Sequence, residues 1–293
     1  TADTQKLTLS NQTAGSFLAA SMETVAITSS TLANTLTTLT ADSATKITMS
    51  GAAKLTITNE LSATVANIAT IDASGMTAAV SLVNDNTTTN ATLGSANDTY
   101  KTGAAVAVGY SVDGGAGTDT ISVTAATVLD TAAETARYTN FEALTINHSA
   151  ATTGSSDQDM ALLSGIDEVT VIATDSNDDT ADSVLTTNLT NARATTTLNV
   201  NTLTTSESSA MTVTTVVATA TDSAADTLNL VLGTATASSG ADVIAAANGK
   251  ILHNVTASDA ETINVTSQGG ANFLGTIDAS DLTTLNVSGG KTL

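Results

Sequence analysis

Apolar residues along this chain fall in short alternating triplets, each followed by small polar residues or glycine. Leu7-Thr8-Leu9, Val25-Ala26-Ile27, Ile47-Thr48-Met49, Leu55-Thr56-Ile57 and Val80-Ser81-Leu82 open the series. Ile121-Ser122-Val123, Leu144-Thr145-Ile146, Val169-Thr170-Val171 and Leu198-Asn199-Val200 continue it. Leu228-Asn229-Leu230, Ile263-Asn264-Val265 and Leu285-Asn286-Val287 complete it. Period-two alternation predicts strands with one buried face. Many triplets stand about 18 to 35 residues apart, the length of one solenoid coil. The expected fold class is therefore all-β, a β-solenoid or parallel β-helix-like stack.

Two stretches reinforce the repeat. Ala69-Thr70-Ile71-Asp72-Ala73-Ser74-Gly75-Met76-Thr77 matches Gly275-Thr276-Ile277-Asp278-Ala279-Ser280-Asp281-Leu282-Thr283, which implies one coil design at both ends. An acidic residue often stands two places before the first apolar one, as at Glu23, Glu142, Asp167, Asp226 and Glu261. Stacked on one edge, such carboxylates repel unless a cation or spacer intervenes. The plainer reading is a solvated position at the strand start. Helical signal is confined to Asp130–Tyr138, two turns capped by Asp130. Loops are expected at Asn84–Asn90, Thr152–Asp159, Thr174–Asp182 and Thr204–Ser209.

Composition narrows the architecture. Of 293 residues, aromatics make up 2%, Trp is absent and the apolar share is 41%. Such a core needs many thin, similar layers rather than a few aromatic anchors. Thr supplies about a fifth of the chain, and β-branching favours strands. Proline is absent, as suits continuous backbone ladders that need every N–H.

A formal net charge of −20, with 28 acidic against 8 basic residues, disfavours nucleic acid as a partner. Between Thr102 and Gly249 the basic side chains are Arg137 and Arg193 alone. Self-repulsion at this charge favours divalent counterions, with a halophile's acidic surface as the competing account. Without cysteine there are no disulfides, thiolate metal sites or Cys nucleophile. No apolar run is long enough to span a bilayer, so membrane insertion is not expected. The start at Thr1 suggests an excised piece of a longer protein.

The densest chemical signal is Val112-Asp113-Gly114-Gly115-Ala116-Gly117-Thr118-Asp119-Thr120-Ile121. It fits the calcium nonapeptide pattern G-G-x-G-x-D, with the apolar residue one place late. Leu93-Gly94-Ser95-Ala96-Asn97-Asp98-Thr99-Tyr100 is a degenerate copy of the same frame. Glycines turn carbonyls inward, and aspartate adds charged oxygen for a hard cation. The alternative is a pair of tight β-turns without metal. The runs Asp157-Gln158-Asp159 and Asp175-Ser176-Asn177-Asp178-Asp179 read as solvated or calcium-binding loops. Asp222, outside any glycine frame, is expected to be indifferent to calcium.

Catalysis finds little support. His148 and His253 read as isolated surface residues. Asp157 and Asp159 could pair for glycoside hydrolysis, but a sugar cleft without Trp is unusual.

The motifs in 91–149 resemble those of calcium-binding RTX-type surface-layer proteins of Gram-negative bacteria. The resemblance runs through Gly94–Tyr100, Gly114–Asp119 and Asn140-Phe141-Glu142-Ala143-Leu144-Thr145-Ile146. Ile166–Val171, Glu261–Val265 and Thr276–Ser280 are similar in style. It implies type I export, an extracellular position on the bacterial cell surface, and calcium-dependent self-assembly into a two-dimensional lattice, without enzymatic activity. The carried-over metal ligands are Asp98, Asp113 and Asp119, with Asn97 and carbonyls around Gly94, Gly115 and Gly117. Ser95 and Ala96 depart from the glycine pattern. The expected organisation is coils over 1–90, a calcium-binding segment over 91–130 and further coils over 131–293. Partners would be copies of itself, calcium and cell-surface polysaccharide reached through regions outside this chain. The alternative is a calcium-binding fragment of a secreted RTX adhesin or biofilm protein; a polysaccharide lyase or epimerase on a parallel β-helix ranks third.

Overall fold

A computed structural model describes residues 3–61, 68–124, 129, 131–149, 154–175, 183–204, 211–219, 221–223, 225–233, 251–269, 272, 274–291 and 293. All twelve apolar triplets lie in strands, and every strand pair in the ladders given below is parallel. The chain forms two compact units, Thr1–Val123 with Thr131–Ala143, and Thr124–Asp130 with Leu144–Leu293.

In the first unit one ladder runs through Thr4–Ser10, Thr24–Ser30, Lys46–Gly51, Thr70–Met76, Asn90–Thr92, Val112–Asp113 and Tyr138–Thr139. Thr4 faces Thr24, Thr24 faces Lys46, Lys46 faces Thr70 and Thr70 faces Asn90, so a coil takes roughly 20 to 24 residues. A second ladder joins Asn34–Leu36, Leu55–Ile57, Val80–Val83, Thr99–Thr102 and Thr120–Thr124. A short pair, Ser16–Leu18 with Thr38–Thr40, stacks beside them.

The register turns the alternation into columns. Val25, Ile47, Ile71, Ala91, Val112 and Tyr138 lie one above another, all buried. Each large side chain so buried contributes about 1.5–3 kcal/mol. Outward ranks are mostly hydroxyl and amide residues, such as Thr4, Thr24, Thr70 and Asn90, which explains the heavy use of Thr.

The second unit has the same plan with longer coils. One ladder holds Glu168–Asp175, Thr197–Thr204, Thr227–Leu232, Thr262–Ser267 and Thr284–Gly289. The other holds Gly154–Asp159, Ser183–Ala192, Met211–Thr219, Ile251–Thr256 and Leu274–Asp278. Val169, Leu198, Leu230, Val265 and Val287 form one of its columns.

Several expectations are corrected. Gly154–Asp159 is a strand rather than a loop, because buried Ser156 and Gln158 are its inward residues. The helix is one turn, Ala132–Thr135, capped by Thr131, whose Oγ1 accepts from Glu134 N at 3.2 Å. Tyr138 belongs to a strand, and Asp130 lies outside the described residues. Asp175 ends a strand, while the rest of the Asp175–Asp179 run and most of Thr204–Ser209 lie outside the described residues. His148 and His253 are buried, not on the surface.

Gly51 and Gly109 separate backbone strain from coil stacking. Both have positive φ, +129° and +93°, which costs a side chain about 1–2 kcal/mol. At Gly51 a Cβ would also overlap the Ser29 carbonyl oxygen of the coil beneath, whereas at Gly109 it meets open space. Gly51→Ala is expected to lower the first unit's denaturation midpoint well beyond Gly109→Ala. Equal shifts would mean that close stacking costs nothing there.

Candidate metal centre

The two glycine frames stack without a gap. Ala91 faces Val112 and Thr99 faces Thr120, so 93–98 lies directly against 114–119. Gly115, at φ +94°, passes so close to Gly94 that a Cβ would overlap the Gly94 carbonyl oxygen. That carbonyl accepts from Ala116 N at 3.1 Å. The glycines are thus required by the approach of one coil to the next, with or without an ion.

The carboxylates form a ladder running back along the stack. Asp98 is buried; its Oδ1 accepts from Val80 N at 2.7 Å and its Oδ2 from Gly94 N at 2.6 Å. Asp119 is buried too, and its Oδ1 accepts from Asp98 N at 2.7 Å. Glu142 Oε2 accepts in turn from Asp119 N at 2.8 Å. Each carboxylate therefore satisfies an amide of the preceding coil, a charge-assisted bond of the stronger kind.

The ladder breaks its own pattern at one atom. Asp98 takes the amide four residues behind it, that of Gly94. The corresponding amide behind Asp119 is Gly115 N, and it donates to Asp113 Oδ1 at 3.0 Å instead. Asn140 Nδ2 donates to the same Asp113 oxygen at 2.7 Å. Asp119 Oδ2 is left buried without a hydrogen-bond partner. A lone carboxylate oxygen out of water is costly unless a proton or cation reaches it.

Electrostatics agree with the geometry. Burial, helped by the Asp98, Glu142 and Asp113 carboxylates, pushes Asp119 up to about 6 against the pull of the Asp98 amide. Burial also raises Asp98, opposed by the Val80 and Gly94 amides. The donors are all oxygen and include several carboxylates, the set a hard cation such as Ca2+ takes. Of the residues expected as ligands, Asp98, Asp113 and Asp119 cluster here with Gly94 and Gly115. Gly117 lies against Ala96, and exposed Asn97 accepts from Thr118 N at 3.1 Å.

The acidic residues ahead of the triplets are not merely solvated. Glu23 accepts from Asp3 N at 2.7 Å and Glu261 from Asp226 N at 2.8 Å, as Glu142 does from Asp119 N. Asp226 bonds to Ser223 and Thr219, and Asp167 pairs with exposed Arg193 at 2.6 Å. A second acidic group lies elsewhere: oxygens of Asp222, Glu261 and Asp281 lie within 4.8 Å of one another. Lost hydration and the Asp281, Glu261, Asp259 and Asp226 carboxylates raise Asp222. Asp222 is therefore no neutral reference for calcium. These residues are far apart in sequence, and no local motif announces the group.

Without divalent cations, the raised Asp119 stabilises the first unit fully below its ordinary value of 3.8. That contribution is lost as pH rises through about 6. At about 1.4 kcal/mol per unit, its ceiling is about 3 kcal/mol. Chelated protein should lose stability between pH 4 and pH 6, and Asp119→Asn should flatten that limb. Identical profiles for the two proteins in denaturant melts would show that Asp119 does not titrate in this range.

Comparison with known proteins finds no matching family model, no similar curated protein and no similar solved structure.

Proposed function

We propose that this chain is a structural, self-assembling part of a calcium-dependent bacterial surface layer. The observation that carries the reading is the partnerless, buried Asp119 oxygen among the Asp98, Asp113 and Glu142 carboxylates. Asp119 and Asp113, with carbonyls of the glycine turns, would hold the ion. Calcium there would supply the positive charge that the turn lacks and tie two coils together.

A structural role is favoured over catalysis by what the titratable interior does. Burial lowers His253 to about 4 and also lowers His148, so both rings are neutral near pH 7. His148 Nε2 is hydrogen-bonded to buried Thr187 Oγ1 at 2.6 Å, an interior pairing rather than an approach to solvent. Extracellular location and type I export belong to this proposal through the motif resemblance.

Calcium that binds the folded state alone stabilises it by about 2.7 kcal/mol at a hundredfold excess over Kd. Wild type should therefore melt higher with calcium, and Asp119→Ala should lose most of that rise. Concentrated protein with calcium should form periodic sheets in negative stain that disperse in EGTA. Calcium binding with only isolated particles would favour an adhesin-like module instead. Unchanged melting in calcium and in EGTA would sink the calcium reading.

A further inference from the structure

In the second unit the ladder through Glu168–Asp175, Thr197–Thr204, Thr227–Leu232 and Thr262–Ser267 sends alternate side chains inward and outward. The register fixes the outward ranks. Glu168, Thr197, Asn229 and Asn264 form one, and Thr170, Asn199, Val231 and Thr266 form the next. Ile172 with Asn201, and Thr227 with Thr262, flank them. Thr145 and Asn147 of the neighbouring strand Ala143–Ser149 alternate with buried residues in the same way. Glu168 is exposed and the others are partly exposed.

In a chain of net charge −20 this face is almost free of charge. Of these residues Glu168 alone ionises, at the start of its strand, and its Oε1 accepts from Asn199 Nδ2 at 2.6 Å. Carboxylates gather elsewhere in the unit. Asp157 and Asp278 lie in the other ladder, and Asp222, Asp259 and Asp281 lie between strands. The face is also ordered. Asn264 Nδ2 donates to Asn229 Oδ1 at 2.9 Å and Asn199 Nδ2 to Thr170 Oγ1 at 3.3 Å. The β-branched Thr, Val and Ile side chains between them are stiff at χ1. Little side-chain entropy is therefore left to lose when another surface settles on it.

We infer that this outward face is where two copies of the chain meet, face to face across a two-fold axis. The inference deepens the self-association reading and rests on it for taking a second copy as the occupant. Charge selects the surface. Copies that each carry −20 repel, and 8 basic against 28 acidic residues leave little to build a matching cationic patch. A face that presents neither sign draws no charged partner, yet it admits a second face of its own kind without repulsion. Ile172 and Val231 supply apolar contact, and the amides and hydroxyls around them pair directly or through water. Among these residues no aromatic ring offers a platform for a sugar. A two-fold pairing sets the same patch on both copies, so one substitution acts twice. Without an aromatic or arginine anchor the contact is weak in an isolated pair and gains strength in an array.

Val231→Asp and Val231→Lys each place like charges on the two opposed faces. Each alone should associate at least about tenfold more weakly than wild type in sedimentation of concentrated protein in EGTA. Mixed in equal amounts, the two should recover wild-type association, because opposite charges then meet; a misfolded variant could not recover on mixing. Both melting midpoints should stay near that of wild type, and Thr13→Asp, at an exposed position of the first unit, controls for net charge alone. Unchanged association in both single variants, or no recovery in the mixture, would overturn the assignment. So would a monomeric wild type that is retained on a neutral glycan and released by Val231→Asp, which would give the face to a sugar. Calcium-dependent sheets that form normally in both variants would sink this contact and leave the surface-layer reading intact. Charge-sensitive pairing in EGTA without any sheet in calcium would do the reverse.

Discussion

Everything in this molecule depends on the bond from one coil's backbone to the next. A parallel stack satisfies strand amides with carbonyls of the neighbouring coil, but the chain must leave the ladder wherever it turns. At several of those places the acceptor is a carboxylate. Glu23, Asp98, Asp119, Glu142 and Glu261 each take an amide from the preceding coil. Asp85 does the same for Gly103 of the following coil. Part of the acidity of the sequence is therefore structural, since an acceptor is required and no cationic side chain can supply one.

The same device makes one turn exceptional. Each carboxylate has two oxygens, and the stack normally finds donors for both or leaves one near water. Around Asp119 the glycine turn closes on itself through Asp113 and Asn140, which removes the donor that Asp98 enjoys. Adding glycine to a turn thus does more than permit positive φ. Here it sets Gly115 against the Gly94 carbonyl and lets the Gly115 amide take Asp113, which leaves the Asp119 oxygen without a donor.

The sequence displays the fold wherever inward residues are apolar. Leu55-Thr56-Ile57 and Ile263-Asn264-Val265 are readable because alternation and burial coincide. Gly154–Asp159 is not, because its inward Ser156 and Gln158 carry no hydrophobic signal; Gln158 is held by a bond to Leu129 O at 2.9 Å. His148 is hidden for the same reason, its neighbour in the interior being Thr187. The glycine frames were legible as a pair, but the orphaned oxygen was not. Which carboxylate Gly115 N chooses depends on atoms in three successive coils. The Asp222, Glu261 and Asp281 group was invisible because register, not spacing, assembles it.

A stack built this way has a direction. In each unit the strands are parallel and side chains reach back to the preceding coil: Glu23 and Glu142 in the first, and Glu261, Asn264 and Asn286 in the second. In a quasi-one-dimensional fold, stability is the sum of coil terms and neighbour terms, so each of these backward bonds strengthens the neighbour term between the two coils it joins.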